Sequence, residues 1–402
     1  MKILQVNNVY NNGSTGKIVH DIHVSLQQRG DQSIVCYGRG ERVDEPNVYK
    51  ICGELYSKIN NVWSRVTGLM YGGLSLSTNK LISIIKKEKP DIVHLHCINC
   101  YFVNIYRLIA FLKKQNIPTV LTLHAEFMHT ANCGHALDCD RWKTGCGKCP
   151  RLKQETRSLF FDGTHRSWVK MKKAFDGFDN LIVTSVSPWL MERAKQSPIL
   201  ADKKHTVVYN GLDDSIFKGY EAQGLREGYA KNGEKIVFHA TPNFNNDPEH
   251  IKGGYYLLQL AKAMLGKNVR FVVAGEYEKN LSVPENVTLL GRISDQTQLA
   301  KLYSMADVTL LTSTKETFSM ICAESLSCGT PVVGFEAGAP EQISLKEYST
   351  FVPWGDVEEL QKALENMLDK NFDKQEIASA ACVYAKSHMI DEYYKVYDRC
   401  YK

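Results

Sequence analysis

Short apolar runs rich in β-branched residues recur along the whole chain, separated by segments long enough for helices. KILQVNN, QSIVCYG, DIVHLHC, TVLTLHA, NLIVTSV and HTVVYNG fall in the first half; KIVFHAT, RFVVAGE, NVTLLG, DVTLLTS, PVVGFEA and STFVPWG fall in the second. The runs are apolar on both faces, so each predicts a strand covered on both sides. Parallel sheets sandwiched by helices have this pattern, which gives an α/β expectation of two doubly wound βα-repeat halves. Between the halves, residues 210 to 234 (NGLDDSIFKGYEAQGLREGYAKNGE) are rich in Gly, charge and turn formers and read as the interdomain linker. From Glu376 to Lys402 the pattern predicts a helix whose Tyr393, Tyr394, Val396, Tyr397 and Tyr401 form an aromatic packing face.

The length of 402 residues supports two such units at roughly 150 residues per domain. With 44% hydrophobic and 23% charged residues the composition is globular, which excludes a disordered, collagenous or coiled-coil chain. A formal charge of +5 is mildly basic. It fits an anionic small substrate or an anionic membrane surface at least as well as a nucleic acid, and no nucleic-acid partner is expected. The N-terminus lacks an apolar stretch of signal-peptide length, and no run of about 18 apolar residues exists to span a bilayer. The expectation is a soluble cytoplasmic chain with most of its twelve cysteines reduced.

Open α/β sheets bind ligands at the carboxyl ends of their strands, so the loops there carry the candidate chemistry. After the first strand, Asn12-Gly13-Ser14-Thr15-Gly16-Lys17 opens an apparent helix at Ile18. Its glycines would let backbone amides approach a phosphate, but it has neither Walker spacing nor a Gly-x-Gly-x-x-Gly pattern, and an ordinary strand-to-helix turn stays open. TVLTLHA ends on His124, placed to contact a sugar hydroxyl or assist a leaving group; a buried, satisfied histidine is the alternative. His94 and His96 compete for the same role. In the second half, the stretch from Lys315 to Val333 predicts a small polar loop, a helix over 319 to 326, and a stop at Gly329 and Pro331. Glu316 and Glu324 then stand at the helix entry and about two turns inward, flanking amides near Phe318, Ser319 and Met320 that could meet a diphosphate.

This loop and helix resemble the Glu-x7-Glu signature of the retaining glycosyltransferases of family GT4, and the whole chain resembles their GT-B architecture, two Rossmann-like domains facing a central cleft. The resemblance runs from MKILQVNN through Val208-Tyr209-Asn210-Gly211-Leu212-Asp213 to Glu324-Ser325-Leu326-Ser327-Cys328-Gly329-Thr330-Pro331-Val332 and the final helix. It implies an acceptor-side domain over 1–210 and a nucleotide-sugar-binding domain over 211–380, with a C-terminal helix over 381–402 packing back on the first. It further implies Glu316 at the donor sugar and Glu324 at the ribose, with Phe318, Ser319 and Met320 giving amides to the phosphates. Gly16 would lie against the diphosphate, His124 against the transferred sugar, and Arg292 and Ile293 would hold the nucleobase. One departure stands out. The family's Arg after the first strand of the second domain aligns with Thr241, while Lys252 and Gly253 are retained. One Lys supplies only part of the charge stabilisation a departing diphosphate needs: either another cation such as Arg292 compensates, or the donor is held differently, or turnover is weak.

The implied function is transfer of a hexose-type sugar from a UDP- or GDP-sugar to a saccharide or lipid-linked saccharide in cell-surface polysaccharide synthesis, with no metal required for the chemistry. A sugar-nucleotide epimerase or phosphorolytic enzyme on the same scaffold, and a non-catalytic sugar-nucleotide-binding protein, are the competing classes. Two features lie outside that core. Cys133, Cys139, Cys146 and Cys149 fall within seventeen residues of an insertion at 129–150, a spacing that suits structural zinc; two disulfides or four unrelated thiols are the alternatives. Arg107, Lys113 and Lys114 beside Leu108, Ile109, Phe111 and Leu112, with Lys86, Lys87, Lys170, Lys172 and Lys173, would suit peripheral contact with the inner membrane; helices with one buried and one solvated face would look the same.

Overall fold

Each of the twelve apolar runs is a strand in the computed structural model, which describes residues 1–231 and 233–401. One further strand, Val48–Lys50, escapes the sequence pattern because three residues are too few for an apolar run. The first sheet contains β1 (Lys2–Asn7), β2 (Gln32–Tyr37), β3 (Val48–Lys50), β4 (Ile92–Leu95), β5 (Thr119–Leu123), β6 (Leu181–Ser185) and β7 (Lys204–Val207). Their order is β3-β2-β1-β4-β5-β6-β7, and every pairing is parallel. The second sheet contains β8 (Lys235–Phe244), β9 (Val269–Tyr277), β10 (Val287–Gly291), β11 (Val308–Leu311), β12 (Val332–Phe335) and β13 (Ser349–Val352). It is also all parallel, in the order β10-β9-β8-β11-β12-β13. The strand order reverses between β1 and β4 in one sheet and between β8 and β11 in the other. Doubly wound sheets open a ligand crevice at such reversals.

The chain forms two compact units, Met1–Val208 with the C-terminal residues from Ile390 on, and Tyr209–Met389. In each, helices cover the sheet with one apolar face. The helix Gly13–Gln28 buries Ile18, Val19, Ile22 and Leu26. In the second unit, Asp356 caps the helix Val357–Leu368 by accepting from Glu359 N at 3.0 Å, and Leu360, Leu364 and Met367 recur at helical spacing on its buried face. Cutting Leu364 back to Ala would cost about 2–5 kcal/mol.

Several sequence expectations need correction. Residues 210 to 234 are not a free linker: Tyr220 N donates to Ser304 Oγ at 3.1 Å and Arg226 pairs with Asp307 at 2.8 Å, which ties the segment into the second unit. Its polarity reflects a surface position. The C-terminal helix is broken into Lys374–Ala380, a 3-10 turn Ala381–Tyr384 and Lys386–Tyr401, with Ala385 extended and bridged to Leu212. In its last part Tyr393 and Tyr397 are buried, while Tyr401 is exposed. Their hydroxyls enter the first sheet: Tyr393 and Thr122 share a hydrogen bond of 3.1 Å, and Tyr397 and His94 Nδ1 one of 2.8 Å. The helix expected at Ile18 already begins at Gly13, so Gly16 lies in its first turn. The basic helix Ile105–Lys114 buries Leu108, Ile109 and Leu112, so its apolar face belongs to the core.

Candidate active site

At the reversal in the second sheet, the β8 end, the β9 end, the residues after β10 and the helix Met320–Ser327 enclose a cavity of about 440 Å³. Thr241, Glu276, Arg292, Ile293, Met320 and Glu324 are among its lining residues. Met320 and Ile321 form the first turn of the helix, where backbone N–H groups have no intrahelical acceptor and the dipole is positive. Glu324 sits one turn further in. Tyr303 OH donates to its Oε2 at 3.0 Å, and burial together with that carboxylate holds the phenol well above its usual range. The hydrogen bond fixes where the Glu324 carboxylate stands.

Phe318 and Ser319, expected to supply amides, are buried at 3% and 4% exposure immediately before that turn. Phe318 packs edge-on to Tyr209 at 5.7 Å. Ser319 is the N-cap with φ +79, a left-handed conformation that is costly for a side-chain-bearing residue, and its hydroxyl accepts from Cys322 N at 3.4 Å. Backbone strain at one residue thus aims the helix start.

Glu316 stands on the loop before the helix. Its N–H donates to Ala337 O at 2.9 Å, and its carbonyl accepts from Ala339 N at 3.2 Å. Glu341 holds the facing strand of this bridge by accepting from the amides of Ala337 and Gly338. Lys252 Nζ donates to Glu316 Oε1 at 2.7 Å, with both side chains partly open to solvent. Lys252 reaches this position because its carbonyl accepts from Thr312 Oγ1 at 3.2 Å and the next residue, Gly253, has φ +66. A Cβ on Gly253 would overlap the Thr312 carbonyl, so only glycine fits. His239, nearby, donates from Nδ1 to Leu310 O at 2.9 Å and is held near a pKa of about 4, first by burial and then by the Lys252 charge.

Thr241, in the place of the expected Arg, donates from Oγ1 to Asn243 O at 3.0 Å, and Gly275 packs against its backbone. Arg292 lines the same cavity, paired to Glu276 at 3.1 Å with most of its side chain in solvent. A solvated pair of this kind can exchange partners at little cost.

In the first unit, His124 directly follows β5 and shares a hydrogen bond of 3.3 Å with His96. Burial brings His124 to about 4 and His96 well below the usual histidine range, so both are neutral. His94 and His96 do not compete: two residues apart, they lie on one side with ring centroids 3.8 Å apart, His94 serving Thr122 and Tyr397 while His96 meets His124. The carbonyl of Gly16 accepts from Asn11 N at 3.0 Å, and a Cβ there would press on Val9. Sequence reasoning passed over Glu126 as a centre. Buried at 1% exposure, it takes Arg193 Nε and, at 2.7 Å, the amide of Ala136. Burial alone would raise its pKa, but His129 and Arg193 outweigh it and hold the carboxylate at about 2. A single Glu in a loop carries no signal of a partner 67 residues away.

Glu126 thereby anchors the start of the cysteine insertion. Cys133, Cys139, Cys146 and Cys149 are all free thiols and border one cavity of about 20 Å³, beside Trp142. Burial, then the Glu155 carboxylate and the neighbouring thiols, push Cys133 up. Among the described residues no three His, Cys, Asp or Glu side chains are gathered closely enough to hold a metal ion.

Residues 15–216 match the model of Glycosyltransferase Family 4, and residues 236–370 that of Glycosyl transferases group 1. The chain belongs to glycosyltransferase family 4. This glycosyltransferase is 23% identical, over 99% of both chains, to an Escherichia coli K12 glycosyl transferase, WcaC, named for colanic acid biosynthesis. It is 24% identical to the N-acetyl-alpha-D-glucosaminyl L-malate synthase of Bacillus anthracis, over 96% of this chain and 93% of that one. Among solved structures, Anabaena HepE in complex with UDP-glucose superposes with a TM-score of 0.64 at 15% identity, covering 99% of this chain and all of the other. The shared fold is GT-B.

Proposed function

We propose that this glycosyltransferase transfers a hexose-type sugar, with retention, from a nucleoside diphosphate donor to a saccharide or lipid-linked saccharide of a cell-surface polysaccharide. The observation that carries the reading is the joint placement of Glu324, the first turn at Met320, and the Lys252–Glu316 pair around the reversal of the second sheet. Glu324 accepts from the ribose hydroxyls. The amides of the first turn and the Lys252 ammonium stabilise the leaving diphosphate, where negative charge grows in the transition state. Glu316 orients Lys252 and accepts from the donor sugar. Arg292 leaves Glu276 for the diphosphate and takes over the part Thr241 cannot play, while Ile293 lies against the base. Gly16 and His124 keep the roles the resemblance gives them, at the diphosphate and the transferred sugar. The departing diphosphate takes the acceptor proton as the acceptor oxygen attacks from the same face, which retains the anomeric configuration.

WcaC and the HepE complex with UDP-glucose support a nucleotide-sugar donor and a polysaccharide setting. The test is product analysis by NMR after incubation with a nucleotide sugar and acceptor: an α-linked donor should give an α-linked product, and an inverted linkage would refute retention. Thr241 favours a second reading, a sugar-nucleotide-binding protein without turnover. Tight donor binding with no nucleoside diphosphate release would support it.

We propose further that Cys133, Cys139, Cys146 and Cys149 hold a structural zinc ion. The support is that all four thiols border one small cavity and that four thiolates suit tetrahedral zinc; the ion would draw them the remaining distance together. Metal analysis of protein purified in reductant without chelator should find one zinc per chain, lost in Cys146→Ser; protein without stoichiometric zinc would refute the site.

A further inference from the structure

The helix Glu54–Thr67 of the first unit is built inside out. Its buried positions are Ser57, Asn60 and Ser64. Each has a partner: Ser57 Oγ lies 3.3 Å from Cys52 Sγ, Asn60 Nδ2 donates to Tyr101 O at 3.0 Å, Asn60 Oδ1 accepts from Leu74 N at 3.0 Å, and Ser64 Oγ contacts Met70 Sδ at 3.4 Å. These bonds fix the rotation of the helix, since buried polar groups must be satisfied. The opposite face then carries Leu55, Ile59, Val62 and Val66, at 71%, 47%, 58% and 38% exposure. Their 4-3-4 spacing places all four within one narrow stripe.

The stripe continues at the C-terminal end of the helix. Leu159 N donates to Arg65 O at 2.8 Å, which seats the loop 157–161 beside it. Leu159, Phe160 and Phe161 there are exposed at 51%, 71% and 62%. Soluble surfaces carry single exposed apolar residues, but seven on two adjoining elements mark a contact surface.

We infer that this face lies on the surface of an anionic lipid bilayer. The charge around it decides between occupants. Lys58, Arg65 and Arg157 border the stripe, and no acidic side chain pairs with them among the described residues. The acidic groups close by are engaged elsewhere: Glu54 with Arg39 and the amide of Gly40, Glu155 with Arg151, and Asp162 with Thr164 and the amide of Cys149. Exposed apolar side chains flanked by basic ones suit the boundary between acyl chains and anionic headgroups. A second copy of the chain would instead set the same basic residues against one another. Among the described residues no helix is long and apolar enough to cross a membrane, so the contact is peripheral.

The inference stands apart from the transferase reading, because vesicle binding is measured without donor or acceptor. The experiment is sedimentation of the full chain with vesicles of phosphatidylcholine alone or mixed with phosphatidylglycerol, at low and high salt. The wild type should bind the mixed vesicles, more weakly at high salt. Ile59→Ser with Val62→Ser should lower binding at least about tenfold without shifting the thermal midpoint, since both side chains are solvent-exposed. Phe160→Ser with Phe161→Ser, on the adjoining loop, should act in the same direction. Wild-type protein that ignores anionic vesicles at low salt would overturn the inference. So would full binding by both variants, or a concentration-dependent dimer that the Ile59 and Val62 substitutions abolish.

Discussion

The two units place polar groups at the carboxyl ends of their sheets in opposite ways. In the first, His94, His96, Thr122 and Glu126 are buried and bonded to Tyr397, His124, Thr184 and Arg193, so most of their hydrogen-bonding capacity is used within the fold, with His96 Nε2 the exception. In the second, Lys252 and Glu316 are partly exposed and bonded to each other, and Glu324 and Arg292 border an open cavity. Groups consumed by the fold hold structure; groups paired only with one another across open space can change partners when a ligand arrives. On that contrast, substitutions in the first set should cost stability and those in the second should cost turnover.

The largest expected effect is at Lys252. Lys252→Ala should lower kcat by about 10²–10³, the usual cost of losing one preorganised charge in the transition state, while circular dichroism and the thermal midpoint stay near wild type. A midpoint that falls with unchanged kcat would break the contrast. Next is Glu126→Gln, which leaves Arg193 without its charge partner and should cost roughly 3 kcal/mol in urea unfolding. Acid sharpens the same point. The Glu126 carboxylate is depressed to about 2, so its contribution is present above the unfolded carboxylate value and is lost as pH falls through about 2. The histidines run ahead of it: His124 and His239 are lowered to about 4, so each stabilises the neutral fold above the unfolded histidine value of about 6.5 and withdraws that stability as pH falls towards 4. Thermal midpoints measured from pH 7 down to pH 4 should fall steadily. A flat profile would mean these rings are not buried neutral. The smallest effect is at Tyr303. Tyr303→Phe removes one hydrogen bond to Glu324 and should raise the donor KM several-fold, about 1 kcal/mol, with kcat little changed.

Much of this architecture is legible in the sequence because parallel strands, buried on both faces, are written as unbroken apolar runs. The three-residue β3 and the start of the helix at Gly13 are not, since neither depends on an apolar period. Glu316 and Glu324 could be named from motif spacing, and Lys252 and Gly253 from the family resemblance, but their arrangement could not. The Lys252–Glu316 bond depends on the fit of Gly253 against Thr312, and the position of Glu324 on a tyrosine from another helix. The exposed apolar face shows the limit most clearly. Basic residues beside apolar ones at 105 to 114 describe a core-facing helix, whereas the exposed apolar face belongs to residues 54 to 67, whose orientation is set by buried Ser57, Asn60 and Ser64. Periodicity shows that a helix has two faces and does not say which one turns inward.

The most direct test of the central claim is nucleoside diphosphate release from a panel of UDP-, GDP- and ADP-sugars, comparing wild type with Glu316→Ala. The account predicts acceptor-dependent release from one donor class by the wild type and a loss of about a hundredfold or more in the variant, with donor binding retained. Release that is equal in the two proteins, or a donor isomerised without release, would contradict it.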